Sequence, residues 1–368
     1  MEKIIGKGSY GYIFFPCLKY TENLELDTTN YVTKLQIFDD AKNELDIIDL
    51  INNIDKNYEF HLGKYIVVDL DEKIYKDIIY NYNLELFINY NLNELTPILI
   101  KYGGYDISFY LKKIFNNWSS SDKNKIFLFL KEYYRMLQGI KLFNDNNIIH
   151  HDIKPKNILY DIENNRLNFI DFGLTNTKEN IIELSNKSDY EFSIFHSTFP
   201  FELYFFNFKK FNNLINKSES YFIKKCNMII DFFTKNTNKN INKNINKNDT
   251  LIYSLDELFV YFYNINNKTN KNEIIIKLIK DFEKSILNFK KMNYDNFIEK
   301  SLNTIDSYSY GLTLIYILNH IEHIISDNNL YVKLMNLGIE MSSFDLDKRI
   351  SIEESLYIFK NILNEFMP

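Results

Sequence analysis

Apolar residues recur along this chain at two different periods, and the change of period divides it. The first hundred residues read as strands with one helix among them. Between Asp40 and Asn52, Ala41, Leu45, Ile48 and Ile51 recur at three- and four-residue steps, which predicts an amphipathic helix. Thr96-Pro97-Ile98-Leu99-Ile100 reads as a buried strand running into Lys101-Tyr102-Gly103-Gly104. From Asp122 to about Asn144, the stripe Ile126, Leu130, Tyr133, Leu137, Ile140 and Phe143 predicts a long helix with one face on a core, and Ser121 is its candidate N-cap. Leu159-Tyr160 and Leu167-Asn168-Phe169-Ile170 read as short paired strands joined at Asn164-Asn165. Ser220 to Thr234, Leu251 to Asn264 and Glu273 to Phe289 are again apolar enough to fold as helices.

Composition narrows the class. The 368 residues are 45% hydrophobic and 25% charged, ordinary for a globular chain, and aromatic residues reach 16%. With 10 Gly and 5 Pro, most of the chain is expected to be regular structure. The net charge of −6 argues against a dedicated nucleic-acid binder, which carries a basic domain. Two cysteines, Cys17 and Cys226, set no disulfide framework and suit a reducing compartment. Met1 to Gly6 has no signal-type apolar region, and Gly311 to Leu318 is far shorter than the roughly 18–20 residues that span a bilayer. The chain is therefore expected to be intracellular and cytoplasmic, without a membrane partner.

Candidate chemistry concentrates in two runs. Ile149-His150-His151-Asp152-Ile153-Lys154-Pro155-Lys156-Asn157 gathers a carboxylate, a lysine and an amide, and Asp171-Phe172-Gly173 follows with a second carboxylate. This set can hold a magnesium nucleotide and direct a phosphoryl group to a hydroxyl. Near the start lies Gly6-Lys7-Gly8-Ser9-Tyr10-Gly11-Tyr12-Ile13, whose glycines let backbone turn tightly and approach phosphates. Taken alone, that run fits a plain hairpin equally well. Lys34, in Tyr31-Val32-Thr33-Lys34-Leu35, would alone pass for a solvated strand lysine, and Glu44 beside the first helical stripe for a surface carboxylate.

Together these runs resemble the eukaryotic-type Ser/Thr protein kinases, through G-x-G-x-x-G-x-V (with Ile13 at the last position), the strand lysine, H-x-D-x-K-P-x-N and D-F-G. Gly103-Gly104-Tyr105-Asp106-Ile107 is similar to a hinge of the protein kinases of large DNA viruses, which would place the chain in host cytoplasm or a virion. The resemblance implies an α+β bilobal fold: a small β-rich N-lobe with one main helix over 1–100, a hinge at 101–104 and a mainly helical C-lobe over 105–368. It implies ATP and Mg²⁺ as cofactors and a protein substrate. Asp152 would be the catalytic base and Lys154 would neutralise the moving phosphoryl. Asn157 and Asp171 would bind the metal. Gly6, Lys7, Gly8, Ser9, Tyr10, Gly11, Ile13, Lys34 and Glu44 would serve ATP, Glu44 by pairing with Lys34. Lysine at position 154 is the Ser/Thr-directed pattern.

The resemblance also implies structural roles. His150 packs near the D-F-G segment, and Asp306, in Asp306-Ser307-Tyr308-Ser309-Tyr310-Gly311, hydrogen-bonds the catalytic-loop backbone. Arg349 pairs with Glu202 of Phe199-Pro200-Phe201-Glu202, a degenerate A-P-E motif. His151 departs from the family's arginine, which pairs with a phosphate on the activation segment, so activity is expected not to depend on that phosphate. Ser185, Ser188, Ser193, Ser197 and Thr198 are the hydroxyls weighed as phosphorylation positions there. Glu202 and Asp306 stand 104 positions apart, which implies an insertion at about 210–300. Its Asn/Lys-rich loop at 234–250 reads as a disordered polar segment. Two rivals are a pseudokinase scaffold of the same fold and a small-molecule kinase of the aminoglycoside or choline type. All five chemical positions are filled, against the first; Lys154-Pro155 and Asp171-Phe172-Gly173 argue against the second.

Overall fold

A computed structural model describes residues 2–8, 11–21, 26–82, 84–87, 89–187, 198–224, 226–227, 271–325 and 327–366. The Asn/Lys-rich loop and the segment Leu251 to Asn264 lie outside them. The chain forms two compact units, Met1–Tyr105 with Ile158–Thr175, and Asp106–Asn157 with Asn176–Pro368.

The first unit is built on strands β1 (Lys3–Gly8), β2 (Gly11–Phe15), β3 (Tyr31–Ile37), β4 (Ile66–Val67) and β5 (Leu95–Lys101). They make an antiparallel sheet in the order β1-β2-β3-β5-β4. Gly11 opens β2 where backbone crowds backbone: a Cβ there would lie 2.1 Å from the Leu35 carbonyl oxygen. Helix α1 (Phe38–Ile54) follows β3, and α2 (Glu72–Tyr82) follows β4. α1 begins two residues before the periodicity predicted and has no side-chain cap at Ile37.

The strand period of two assigns β3 a job on each face. Leu35 joins Tyr12, Phe14, Tyr75, Ile78 and Phe87 in one core cluster. Val32 joins Ala41 and Ile98 in another, under α1. Because both faces are covered, every residue from Val32 to Gln36 is buried.

Strands β6 (Ile158–Asp161) and β7 (Arg166–Phe169) pair antiparallel as the sequence pattern predicts. Sequence boundaries counted them with the second lobe, but they cluster with the first unit. The Phe169 N–H donates to the Phe60 carbonyl at 2.8 Å. Gly104, at φ +90°, passes so close to β6 that a Cβ would lie 2.3 Å from the Tyr160 carbonyl oxygen.

The second unit is helical: α3 (Ile107–Lys113), α4 (Lys123–Asp145), α5 (Lys178–Ser185), α6 (Phe208–Ile215), α7 (Lys271–Phe289), α8 (Tyr294–Leu302), α9 (Ile305–Ile321), α10 (Asn328–Met341) and α11 (Ile352–Phe366). All six residues of the predicted α4 stripe are fully buried. Ser121 is not its cap. It sits inside a short 3-10 turn, Ser120–Asp122, where Ser119 and Asp122 form a reciprocal capping box. α9 is buried at every position from Ile305 to Leu318, as a helix surrounded by other helices must be. α7 falls on the helical stretch read at Glu273 to Phe289.

Candidate active site

In the first unit, Lys34 stands on the central strand with its side chain turned toward α1. Its ammonium donates to Glu44 Oε1 at 2.9 Å, Glu44 Oε2 at 2.7 Å and Asp171 Oδ1 at 3.1 Å. The lysine side chain is 9% exposed, Glu44 is fully buried, and Asp171 remains 35% exposed. Burial alone would lower the Lys34 pKa, but the carboxylates of Asp171 and Glu44 more than reverse this and keep it charged. The half-buried Tyr65 has its phenol pushed well upward, first by desolvation and then by those same two carboxylates.

Several glycine-run residues stand beside this pair. Ile13 is the cross-strand neighbour of Lys34, and Gly6 faces Ile13 across the β1–β2 hairpin. Gly8 pairs with Gly11 at the hairpin end. The exposed Lys7 makes a 3.4 Å ion pair with Glu85. Ser9 and Tyr10 lie outside the described residues. Asp171 adopts a left-handed backbone at φ 64° and starts the short turn Phe172–Leu174.

Two features of this unit escaped the sequence reading. Gln36, one pleat beyond Lys34, donates from Nε2 to Glu44 Oε2 at 3.0 Å. The two-residue strand period would have pointed to it. The second is a buried histidine–carboxylate pair after α1, in a loop whose sequence carries no periodic signal. His61 Nδ1 lies 2.9 Å from Asp55 Oδ2, and its Nε2 lies 2.9 Å from Asn52 Oδ1. Asp55 also accepts the N–H groups of Glu59 and Phe60. Burial opposes its charge, but His61 and these N–H donors prevail and lower its pKa. The His61 ring meets Phe172 edge to face, so the loop braces the residue after Asp171.

In the second unit, Asp152, Lys154 and Asn157 come together. Asp152 Oδ2 accepts from Lys154 Nζ at 2.8 Å and from Asn157 Nδ2 at 2.7 Å. Asn157 Nδ2 also donates to the Asp152 carbonyl at 2.9 Å. This turns the amide nitrogen inward and leaves its oxygen as the donor for a cation. That oxygen is a hard ligand of the kind Mg²⁺ takes, and so, in the first unit, is the Asp171 carboxylate; each suits the metal by its chemistry.

Asp306, at the start of α9, accepts the main-chain N–H groups of His150 at 2.7 Å and His151 at 2.9 Å. Full burial lifts its pKa to about 6, although these two N–H donors and Lys178 pull the other way. His150 Nδ1 accepts the Asp152 N–H at 3.4 Å. His151 holds a left-handed backbone at φ 68° and packs its ring 5.7 Å from that of Phe199. Glu202 and Arg349 form a buried ion pair. Ser301 donates to Glu202, and Arg349 donates to Thr304. Neither hydroxyl was singled out from the sequence.

The segment after Asp171 holds a helix, α5, where no element was expected. Thr177 caps it, accepting the Asn180 N–H at 3.2 Å. Thr177 pairs with Ile148 and Asn176 with Ile149, and the Lys178 N–H donates to the Asn147 carbonyl at 2.8 Å. Of the hydroxyls weighed as phosphorylation positions, Ser185 and Thr198 are fully buried. Ser188, Ser193 and Ser197 lie outside the described residues.

Among the described residues, no helix is long and apolar enough to cross a membrane. Over 52 residues, 14% of its length, the chain is 42% identical to the probable serine/threonine-protein kinase cdc7 of Dictyostelium discoideum, of which this is 5%. Over 96 residues, 26% of its length, it is 32% identical to a probable casein kinase I homolog of Encephalitozoon cuniculi, of which this is 29%. The chain thus spans less than a third of either relative's length. Residues 112–191 match the protein kinase domain family. That match takes in Asp152, Asn157 and Asp171, so this part of the chain is similar to the eukaryotic-type protein kinases.

Proposed function

We propose that this chain transfers the γ-phosphoryl group of ATP to serine and threonine hydroxyls of a protein. The observation that carries the reading is the anchoring of Asp152. Its carboxylate is held by Lys154 and Asn157, and its loop by Asp306.

In this reading Asp152 accepts a hydrogen bond from the substrate hydroxyl and orients its oxygen for in-line attack. Phosphoryl transfer needs positioning and charge neutralisation more than a strong base, so an ordinary carboxylate suffices. Lys154, already within reach of Asp152, meets the charge on the transferring oxygens. Lys34 contacts the α- and β-phosphates, held in place by Glu44. Asn157 and Asp171 would hold Mg²⁺, which when bound neutralises phosphate charge. The Ser/Thr preference rests on Lys154 and on the similarity to the probable serine/threonine-protein kinase of Dictyostelium discoideum.

The experiment is a Mg-ATP phosphotransfer assay on a degenerate peptide library, with wild type and Asp171→Ala side by side. Incorporation into serine and threonine by wild type alone is the expected result. Equal turnover by the two proteins sinks the enzyme reading, and incorporation confined to tyrosine sinks the specificity.

A further inference from the structure

We propose that Gln36 is a positioning residue for the Lys34–Glu44 pair, and that it keeps Glu44 and α1 in place while Lys34 is engaged elsewhere. The inference rests on the kinase reading given above.

Strand alternation puts Gln36 on the same face of β3 as Lys34, toward α1. It is 1% exposed. Its Nε2 reaches Glu44 Oε2 at 3.0 Å, the oxygen that Lys34 approaches to 2.7 Å. Lys34 has three N–H groups. In this structure they are divided among Glu44 Oε1, Glu44 Oε2 and Asp171 Oδ1. To contact a phosphate, the ammonium must give up at least one of these. Gln36 does not have to move. Its neutral amide continues to hold Glu44 Oε2, and through it α1, without adding charge to the site.

The other end of the same amide supports this assignment. Gln36 Oε1 is buried with no hydrogen-bond partner among the described residues. Burying an unmet acceptor is costly, and an apolar side chain of the same length would fill this space without the cost. Nε2 is therefore the part that acts, and its partner is Glu44.

The test uses Gln36→Met, which keeps the length and removes the donor, and Gln36→Glu, which sets a like charge against Glu44. In Gln36→Met, kcat is expected to fall about tenfold, with nucleotide affinity changed less, because misplacement of a positioned group costs rate. Gln36→Glu is expected to fall further. Amide exchange across α1 is expected to quicken in both. In a Glu44→Gln background, Gln36→Met is expected to add little, since its partner has already been altered. If Gln36→Met does not fold, Gln36→Asn, which withdraws the amide by one methylene, carries the same expectation.

Wild-type kcat with unchanged α1 exchange in these variants overturns the proposal. So does a full, additive loss in the Glu44→Gln background, which would mark Gln36 as mere packing. A wild-type chain without phosphotransfer would defeat the kinase reading instead, and α1 exchange would still decide whether Gln36 tethers the helix.

Discussion

Lys178 is fastened to Asn303: its Nζ lies 2.8 Å from Asn303 Oδ1. The same ammonium donates to the Asn144 carbonyl at 3.0 Å and to Asn144 Oδ1 at 3.1 Å. Burial lowers its pKa, opposed by Asp145, Glu179, Asp306 and Glu299. The start of α5 is thus tied to the C-terminal end of α4 and to the residue after α8 by a lysine.

Protein stripped by phosphatase is therefore expected to keep its activity, because this tether needs no phosphate. Lys178→Met is expected to lose activity about tenfold through a loosened segment. The check is a rate assay on treated and untreated protein with phosphosite mapping. A large phosphatase-sensitive loss mapped between Asp171 and Glu202 rejects the idea.

Asp306 sets a pH dependence. Its folded-state pKa of about 6 lies above the ordinary 3.8, so the folded chain binds this proton more tightly than the unfolded chain. That contribution to stability is full below the ordinary value and is lost as pH rises through about 6. Relative to Asp306→Asn, wild type is expected to gain on the order of 2–3 kcal/mol as pH falls from neutral to about 4. Urea unfolding of both proteins at the two pH values checks this. A difference that stays constant with pH rules it out.

The grouping of Asp152 and Lys154 makes a kinetic expectation. Asp152→Asn keeps the shape of the side chain and removes the carboxylate's charge and proton-accepting ability, and kcat is expected to fall about 10²–10⁴-fold. Lys154→Ala is expected to cost about 10²-fold, the scale of losing one charge-stabilising donor. ATP KM in both is expected to remain near wild type. Steady-state kinetics read the split, and a raised ATP KM with intact kcat contradicts the assigned roles.

The Glu202–Arg349 pair is expected to show itself in stability. Arg349→Met leaves a buried carboxylate unpaired and is expected to cost about 3–5 kcal/mol. Replacing both partners with apolar residues is expected to recover most of that. Denaturant midpoints of the single and double variants measure it, and equal losses in both would refute the account.

Much of this architecture was legible where a period or a motif carried it. The α4 stripe, the β6–β7 pair and the Lys34–Glu44 contact all appear where the sequence places them. Asp306 reaches the His150 and His151 backbone as the family resemblance implies. What was missed lies in side chains that act by position alone. His61 and Lys178 have polar partners set in an aperiodic loop or distant in sequence, and no local pattern announces them, whereas Gln36 follows from the strand period only once Glu44 is placed opposite it. Ser121 was passed over as a cap because Ser119 and Asp122 could satisfy each other one turn earlier. The segment Ile158–Thr175 joined the first unit through a backbone bond between Phe60 and Phe169 that no spacing rule supplies.

The place of β3 has a consequence for heat resistance. Its backbone is bonded on both sides, and its middle five residues are buried. Amides there are expected to exchange last in the first unit, by its cooperative opening alone. Lys34 and Gln36 are carried on that strand. Warming is therefore expected to leave the lysine's footing intact until the whole sheet gives way, so that thermal inactivation and melting of this unit share one temperature.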